Sequence, residues 1–175
     1  YYLCMLDKVL WLIILTFTPI FELRWSIPIG LFSGEISVPL LGTIQGFAMP
    51  ILLVFVICVL ANIVLGVIAY FFLDKIIYVF LKVDFIKSIY DRFVSRAQRR
   101  SKSLIDKYGL IGVALFVAVP LPGSGSWTGA LVANLLGLGY KKFFIANTIG
   151  VIIAGIIVTA LFVGLFSILG IGVIV

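Results

Sequence analysis

The sequence contains no histidine, and only seven of its 175 residues are acidic. The commonest metal ligand and general base is missing, so proton chemistry near neutral pH falls to a carboxylate. Cysteine is nearly absent too. Cys4 and Cys58 lie in apolar surroundings, form no disulfide framework, and are expected to be free, buried thiols. Without histidine, a metal-ligand cluster or a nucleophile beside a base, the chain is not read as an enzyme, and no catalytic residue, metal or cofactor is expected. Charge is scarce, at 11% against about 25% in soluble domains. No basic n-region or small-residue cleavage site is recognisable at the start, so no cleavable signal peptide is expected.

What fills the chain is apolar. Hydrophobic residues make up 63% of it, and the mean hydropathy is +1.31. Ile51 to Leu73 holds no charge, and Phe143 to Leu169 is at least as long and also uncharged. A spanning helix needs about 20 apolar residues at ~1.5 Å each. Both stretches therefore predict transmembrane helices, over 51–73 and 143–169, within a single membrane domain.

The charge that exists is gathered in one place. Residues 74–107 hold nine Lys/Arg against four acids, a net +5 of the chain's +6. By the positive-inside rule the linker, taken as 74–109, is expected in the cytoplasm. Nothing else in the chain supports nucleic acid as a partner. Phe85, Ile86, Ile89, Tyr90, Phe93, Val94 and Ala97 recur at helical spacing. Lys87, Asp91, Arg92, Arg96, Arg99 and Arg100 fall largely elsewhere. This predicts an amphipathic helix on the cytoplasmic surface, which either fixes topology or gathers anionic lipid.

Two other apolar regions are too broken to be simple spans. Residues 1–50 contain Pro19, Pro28, Pro39 and Pro50, four glycines from Gly30 to Gly46, and the charges Glu22, Arg24 and Glu35. Residues 110–139 carry no charge but centre on PLPGSGSWTG, Pro120 to Gly129. Proline and glycine are expected to stop a continuous helix in each. The two legs of the second region, 110–119 and 127–138, are each too short for a core of about 30 Å. Lys107 before it, and Lys141 and Lys142 after it, put both ends on the cytoplasmic side. The region is therefore expected to dip into the membrane and return, its tip buried in protein or lining a wet cavity. One tilted, kinked span is the alternative, and the paired lysines argue against it.

With the linker inside, helix 51–73 starts outside and helix 143–169 ends outside. A faint trace relates the halves: Pro19-Ile20 precedes ELRWSIPIG as Pro120-Leu121 precedes PGSGSWTG. The expected fold is an all-α integral membrane protein. It is an inverted repeat of re-entrant helical hairpin plus transmembrane helix, joined by the cytoplasmic amphipathic linker, as in many secondary transporters.

Glu22 and Arg24 stand in an apolar stretch, and a charge at bilayer depth costs about 2.5–3.5 kcal/mol on insertion scales. Two positions apart, they are expected to point in different directions on a helix and to pair poorly there. Burial would favour the neutral acid at Glu22 and the neighbouring arginine its anion, a balance that suits a proton carrier. An ion pair that merely holds the hairpin is the alternative. In PGSGSWTG, Gly123 and Gly125 allow a tight turn, and Ser124, Ser126 and Thr128 are natural N-caps for the helix that follows. A helix N-terminus favours an anion, so this tip reads as a neutral cradle for phosphate or carboxylate, or else as a simple bend. Trp127 is either a substrate wall or a packing aromatic. Gly129, Ala133 and Gly137, and Ala146, Gly150 and Ala154, form small-residue stripes for close helix packing. Asn62, Asn134 and Asn147 are expected to hydrogen-bond between helices.

FELRWSIPIG (Phe21 to Gly30) and FVAVPLPGSGSWTGALVANLLGL (Phe116 to Leu138) resemble the small multidrug export family of archaeal and bacterial membrane proteins. That family resembles the wider DedA superfamily, also called the VTT or SNARE-associated group. The resemblance implies two re-entrant hairpins, each followed by a membrane helix, in a multi-pass protein of the cell membrane, and it allows a homo-oligomer. It implies proton-dependent movement of polyprenyl-phosphate carrier lipids, or lipid scrambling. Glu22 matches the acidic residue of the first hairpin. The implied substrate-binding set is Arg24, Pro28, Pro120, Pro122, Gly123, Ser124, Gly125, Ser126, Trp127 and Thr128. DedA proteins carry arginines around the second proline motif; Ser124, Ser126 and Thr128 stand there in this chain, which leaves Arg24 as the one deep cation.

Three functions follow. In the first, the chain is a proton-coupled transporter or flippase for a polyprenyl phosphate or another anionic lipid headgroup, with membrane lipids as partners. In the second, it exports cationic drugs in exchange for protons, with Glu22 as the counter-charge. In the third, it is a scramblase or a scaffold with no coupling ion.

Overall fold

A computed structural model of the chain describes residues 2–19, 21–38, 42–80, 108–120 and 124–168. They form α1 (Tyr2–Phe17), α2 (Glu22–Leu31), β1 (Glu35–Val38), β2 (Gly42–Gln45) and α3 (Ile51–Phe80). After the linker come α4 (Tyr108–Ala118), α5 (Ser126–Leu135) and α6 (Tyr140–Ile168). The amphipathic helix expected within 85–97 lies outside the described residues.

The expectation of an all-α chain needs one correction. Residues 35–38 and 42–45 pair as two antiparallel strands, with Glu35 opposite Gln45 and Val38 opposite Gly42. The β-branched residues Ile36, Val38, Thr43 and Ile44 suit a pleated ladder. Gly42 and the neighbouring Pro39 weaken any competing helix. Pro28 sits inside α2. Pro28 has no N–H, so position 28 offers Arg24's carbonyl no helical bond. The helix continues because Phe32 N–H still reaches the Pro28 carbonyl at 3.0 Å.

Among the described residues, α3 and α6 are the two helices long and apolar enough to cross a membrane, and their most apolar stretches are only 33% buried. A soluble core helix would hide that surface. On α3 the exposed residues Leu52, Val56, Leu60, Val64, Ile68 and Phe72 repeat every fourth position. Val54, Cys58, Asn62, Leu65 and Ala69 are buried on another face. An outward stripe of large apolar side chains is stable where lipid, not water, is the solvent. Helix α3 also runs past the apolar limit at Leu73 to Phe80, since no glycine or proline interrupts residues 74–80.

The chain forms two compact bodies, Tyr1–Asn62 with Ile152–Val175, and Ile63–Val151. In the first, α2 packs against α1 and the start of α3. A Cβ on Gly30 would stand 2.7 Å from Val54 Cγ1 and 3.1 Å from Leu12 Cδ1, so only glycine admits this approach. The segment returning from β2 then caps α2. N–H groups of Phe47, Met49 and Ala48 bond the carbonyls of Ile29, Gly30 and Phe32 at 2.9–3.1 Å, satisfying groups a helix end leaves open. Lys8 of α1 donates to the Phe47 carbonyl at 2.8 Å.

In the second body, Gly129 of α5 lies against Val117 of α4. Ala114 O and Val117 Cβ lie 2.7 Å from where a Cβ on Gly150 of α6 would stand. Tyr70 stacks on Phe143 with ring centroids 4.9 Å apart and donates to the Leu138 carbonyl at 2.9 Å.

Helix α5 ends in a turn that explains Gly137. Leu138 N–H reaches the Ala133 carbonyl at 2.8 Å and Gly137 N–H the Asn134 carbonyl at 3.0 Å. Gly137 has φ 69°, the left-handed residue this Schellman arrangement needs. It is therefore a turn residue and not part of the small-residue packing stripe. Gly137→Ala should destabilise the protein by about 1 kcal/mol, read as a lower melting temperature in detergent; an unchanged value would mean that the turn does not require glycine.

Candidate functional site

The first candidate site is built at the break between α1 and α2. Helix α1 stops at Phe17; Thr18 folds back, its hydroxyl donating to the Leu15 carbonyl at 2.6 Å. The chain re-enters helix at Glu22, which has φ 44°. That left-handed backbone is unusual for a residue other than glycine and costs of the order of 1 kcal/mol or more. It also decides the direction of the side chain. Arg24 Nη1 and Glu22 Oε2 meet at 2.7 Å.

The expectation that residues two apart would pair poorly assumed regular helix geometry, and Glu22 departs from it. The pair is enclosed, with side chains 12% and 5% exposed for Arg24 and Glu22. The Ser26 hydroxyl holds the same turn by donating to the Glu22 carbonyl at 2.6 Å. Two opposite charges are thus held out of solvent in a neutral pair, at the point where backbone strain is greatest in α2.

The second candidate site is the start of α5. Pro120 lies in the break, and Pro122 and Gly123 lie outside the described residues. Three hydroxyls were expected to cap α5, and two of them donate to carbonyls. Ser124 donates to the Val119 carbonyl at 2.6 Å, and Thr128 to the Gly125 carbonyl at 3.1 Å. Gly125 occupies the N-cap position, with no side-chain cap bond. Ser126 is fully buried, and its hydroxyl finds no hydrogen-bond partner among the described residues. A hydroxyl can donate to a nearby carbonyl as readily as accept from an N–H, so residue type alone did not fix the direction. Trp127 packs edge-on against Phe72 at 6.0 Å, the behaviour of a packing aromatic.

Residues 22–157 match the protein family described as "Putative small multi-drug export protein". The chain belongs to this family. The match opens on Glu22, takes in the ion pair, α2 to α5 and both candidate sites, and ends within α6. Comparison with curated proteins and with solved structures gives no match. Family membership and the two lipid-length helices together point to a membrane protein of the transporter kind.

Of the three amides in its apolar helices, Asn134 behaves as expected, donating across to the Tyr70 carbonyl at 3.3 Å and along its own helix to Ala130 at 3.1 Å. Asn147 does not. It is fully buried against Gly66, and neither amide atom has a partner among the described residues. The Oδ1 of Asn62 is likewise unpartnered among them. Sequence reasoning passed over Lys8, although a lone cation in an apolar helix was a signal that could have found it.

Proposed function

We propose that this protein is a proton-coupled transporter of an anionic lipid headgroup, such as a polyprenyl phosphate, and that its coupling element is the exchange of the Glu22–Arg24 pair. The observation that carries the reading is the enclosed 2.7 Å ion pair, in which the cation is the more exposed partner. An incoming phosphate meets Arg24 first. It cannot bind there beside an ionised Glu22 without placing two anions on one cation, and two unit charges 4 Å apart interact by about 4 kcal/mol at an effective dielectric of 20. A proton on Glu22 removes that repulsion. The site is then neutral in both states, as an internal ion pair or as a protonated acid beside an arginine–anion pair. One proton accompanies each negative charge.

The resemblance to DedA proteins supports a lipid substrate. In this reading α3 and α6 cross the cell membrane, α4 and α5 form a re-entrant hairpin, and 74–109 faces the cytoplasm. The succession α1–α2–α3 and α4–α5–α6 forms an inverted repeat, and copies of the chain assemble into a homo-oligomer. The family description favours a second reading, in which a cationic drug takes Glu22 in place of Arg24.

Binding of a polyprenyl phosphate to purified protein in nanodiscs, wild type against Arg24→Ala, tests the proposal. Binding should be lost in the variant and should take up close to one proton per charge bound. Binding unchanged in Arg24→Ala rules out the phosphate role. Drug resistance lost in Glu22→Gln but kept in Arg24→Ala would favour cation export. Lipid movement indifferent to a pH gradient would favour a scramblase.

A further inference from the structure

Within the second body, α3 and α6 run side by side in opposite directions. Gly66 lies against Asn147, Tyr70 against Phe143 and Phe71 against Tyr140. The two helices therefore leave their apolar stretches at the same end, α3 after Leu73 and α6 before Phe143. Asp74, Lys75, Lys141 and Lys142 stand just past those limits, all of them exposed.

A surface of rings lies next to these charges. Tyr140 has Phe71 at 5.0 Å, Tyr70 at 5.8 Å and Phe144 at 6.1 Å, centroid to centroid. Tyr70 spends its hydroxyl on the Leu138 carbonyl, whereas Phe71, Tyr140 and Phe144 are exposed. Exposed rings beside lysines at the end of an apolar stretch suit the boundary between acyl chains and headgroups. Lys75 stands one turn beyond Phe71 on the same face of α3. Lys141 heads a stripe on α6, in which Ile145 and Ile149 follow at four-residue steps and are exposed.

The charge balance selects the headgroup. Three lysines against one aspartate leave this end with a net +2. The first turn of α6 holds no acid, and no Asp or Glu follows Asp106 in the chain, so α4, α5 and α6 offer Lys141 no counter-ion. A positive head above an apolar stripe is complementary to a molecule with an anionic head and a hydrocarbon tail. A free anion would leave the stripe unused.

We infer that the surface made by Phe71 and Lys75 of α3 with Tyr140, Lys141 and Phe144 of α6 docks an anionic phospholipid, its headgroup at Lys141 and an acyl chain along Ile145 and Ile149. This surface lies apart from the Glu22–Arg24 pair in the sequence, and the docking does not depend on transport.

The test is thermal stabilisation of the full chain in detergent, titrated with phosphatidylglycerol and, as the zwitterionic control, phosphatidylcholine. A ligand that binds the folded chain raises its melting temperature. The wild type should respond to phosphatidylglycerol well above phosphatidylcholine, and the difference should shrink in high salt. Lys141→Gln should raise the Kd for phosphatidylglycerol roughly fivefold, the worth of one basic residue at a membrane surface. Lys141→Arg keeps the charge and should bind as the wild type does.

Equal responses to the two lipids in the wild type, or an unchanged Kd in Lys141→Gln, overturn the assignment. So does a loss of binding in Arg99→Gln/Arg100→Gln that Lys141→Gln does not share, since the lipid would then belong to the basic linker. The double variant Glu22→Gln/Arg24→Gln separates this surface from the ion pair. A phosphatidylglycerol response that survives in it supports the surface, even where lipid transport is lost. One that vanishes in it but persists in Lys141→Gln belongs to the ion pair, and the surface falls.

Discussion

Arg24→Gln should unfold this protein far more readily than the double variant Glu22→Gln/Arg24→Gln does. Removing the guanidinium leaves the Glu22 carboxylate, 5% exposed, without the partner it meets at 2.7 Å. Breaking a buried pair on one side costs about 3–5 kcal/mol, because the stranded charge has lost both water and its counter-ion. Replacing both members by neutral groups of similar shape is often neutral or even favourable, since neither desolvation penalty then remains. The order of stability should therefore be wild type close to the double variant, with both single variants well below. Transport should follow a different order, with the double variant as inactive as the singles, because it has neither a proton carrier nor an anion receptor. Thermal unfolding in nanodiscs, set beside pH-driven lipid uptake, reads both orders. A double variant that is stable and fully active would leave the pair no role in transport. Single variants as stable as the wild type would mean that the charges are not confined as the 2.7 Å contact implies.

Gly150→Ala is expected to be a damaging small change in the helices of the second body. Ordinarily a glycine in a helix interior costs about 0.5–1 kcal/mol relative to alanine, so the substitution should help. Here the new methyl would stand 2.7 Å from the Ala114 carbonyl oxygen and 2.7 Å from Val117 Cβ. Neither neighbour can swing away: one is backbone and the other is the branch point of a stiff side chain. Overpacking of this kind costs about 1–3 kcal/mol, which outweighs the propensity gain. Gly164 on the same helix is the control, because nothing lies within 4 Å of its would-be Cβ. Gly164→Ala should hold or raise the melting temperature while Gly150→Ala lowers it. Equal shifts in the two variants would remove the case for close α4–α6 packing at Gly150.

Much of the architecture was legible in the sequence because the bilayer makes simple demands. A helix that crosses lipid must be long, apolar and unbroken, and 51–73 and 143–169 met those terms; 51–73 is helical within Ile51–Phe80, and 143–168 within Tyr140–Ile168. The breaks near Pro19 and Pro120 were legible for the same reason, since backbone without a helical partner needs a local cause. The short legs of the second broken region appear as α4 and α5, within a few residues of the expected limits.

What the sequence could not determine is where side chains turn once the backbone leaves its regular path. Periodicity argued against a Glu22–Arg24 contact, and a single left-handed residue, φ 44°, brings the two together. Composition offered three hydroxyls as caps for α5, and the tertiary structure turns two of them to carbonyls and leaves the third buried without a partner among the described residues. Nor could a four-residue stripe separate Gly150, which faces Val117, from Gly137, which makes a turn. Polar patterning is a one-dimensional record of burial, and burial in lipid is nearly uniform along these helices. The sequence therefore determined which helices are long and apolar enough to cross a membrane. Hydrogen-bond direction and close contact depend on three-dimensional neighbours, and those only the folded chain decides.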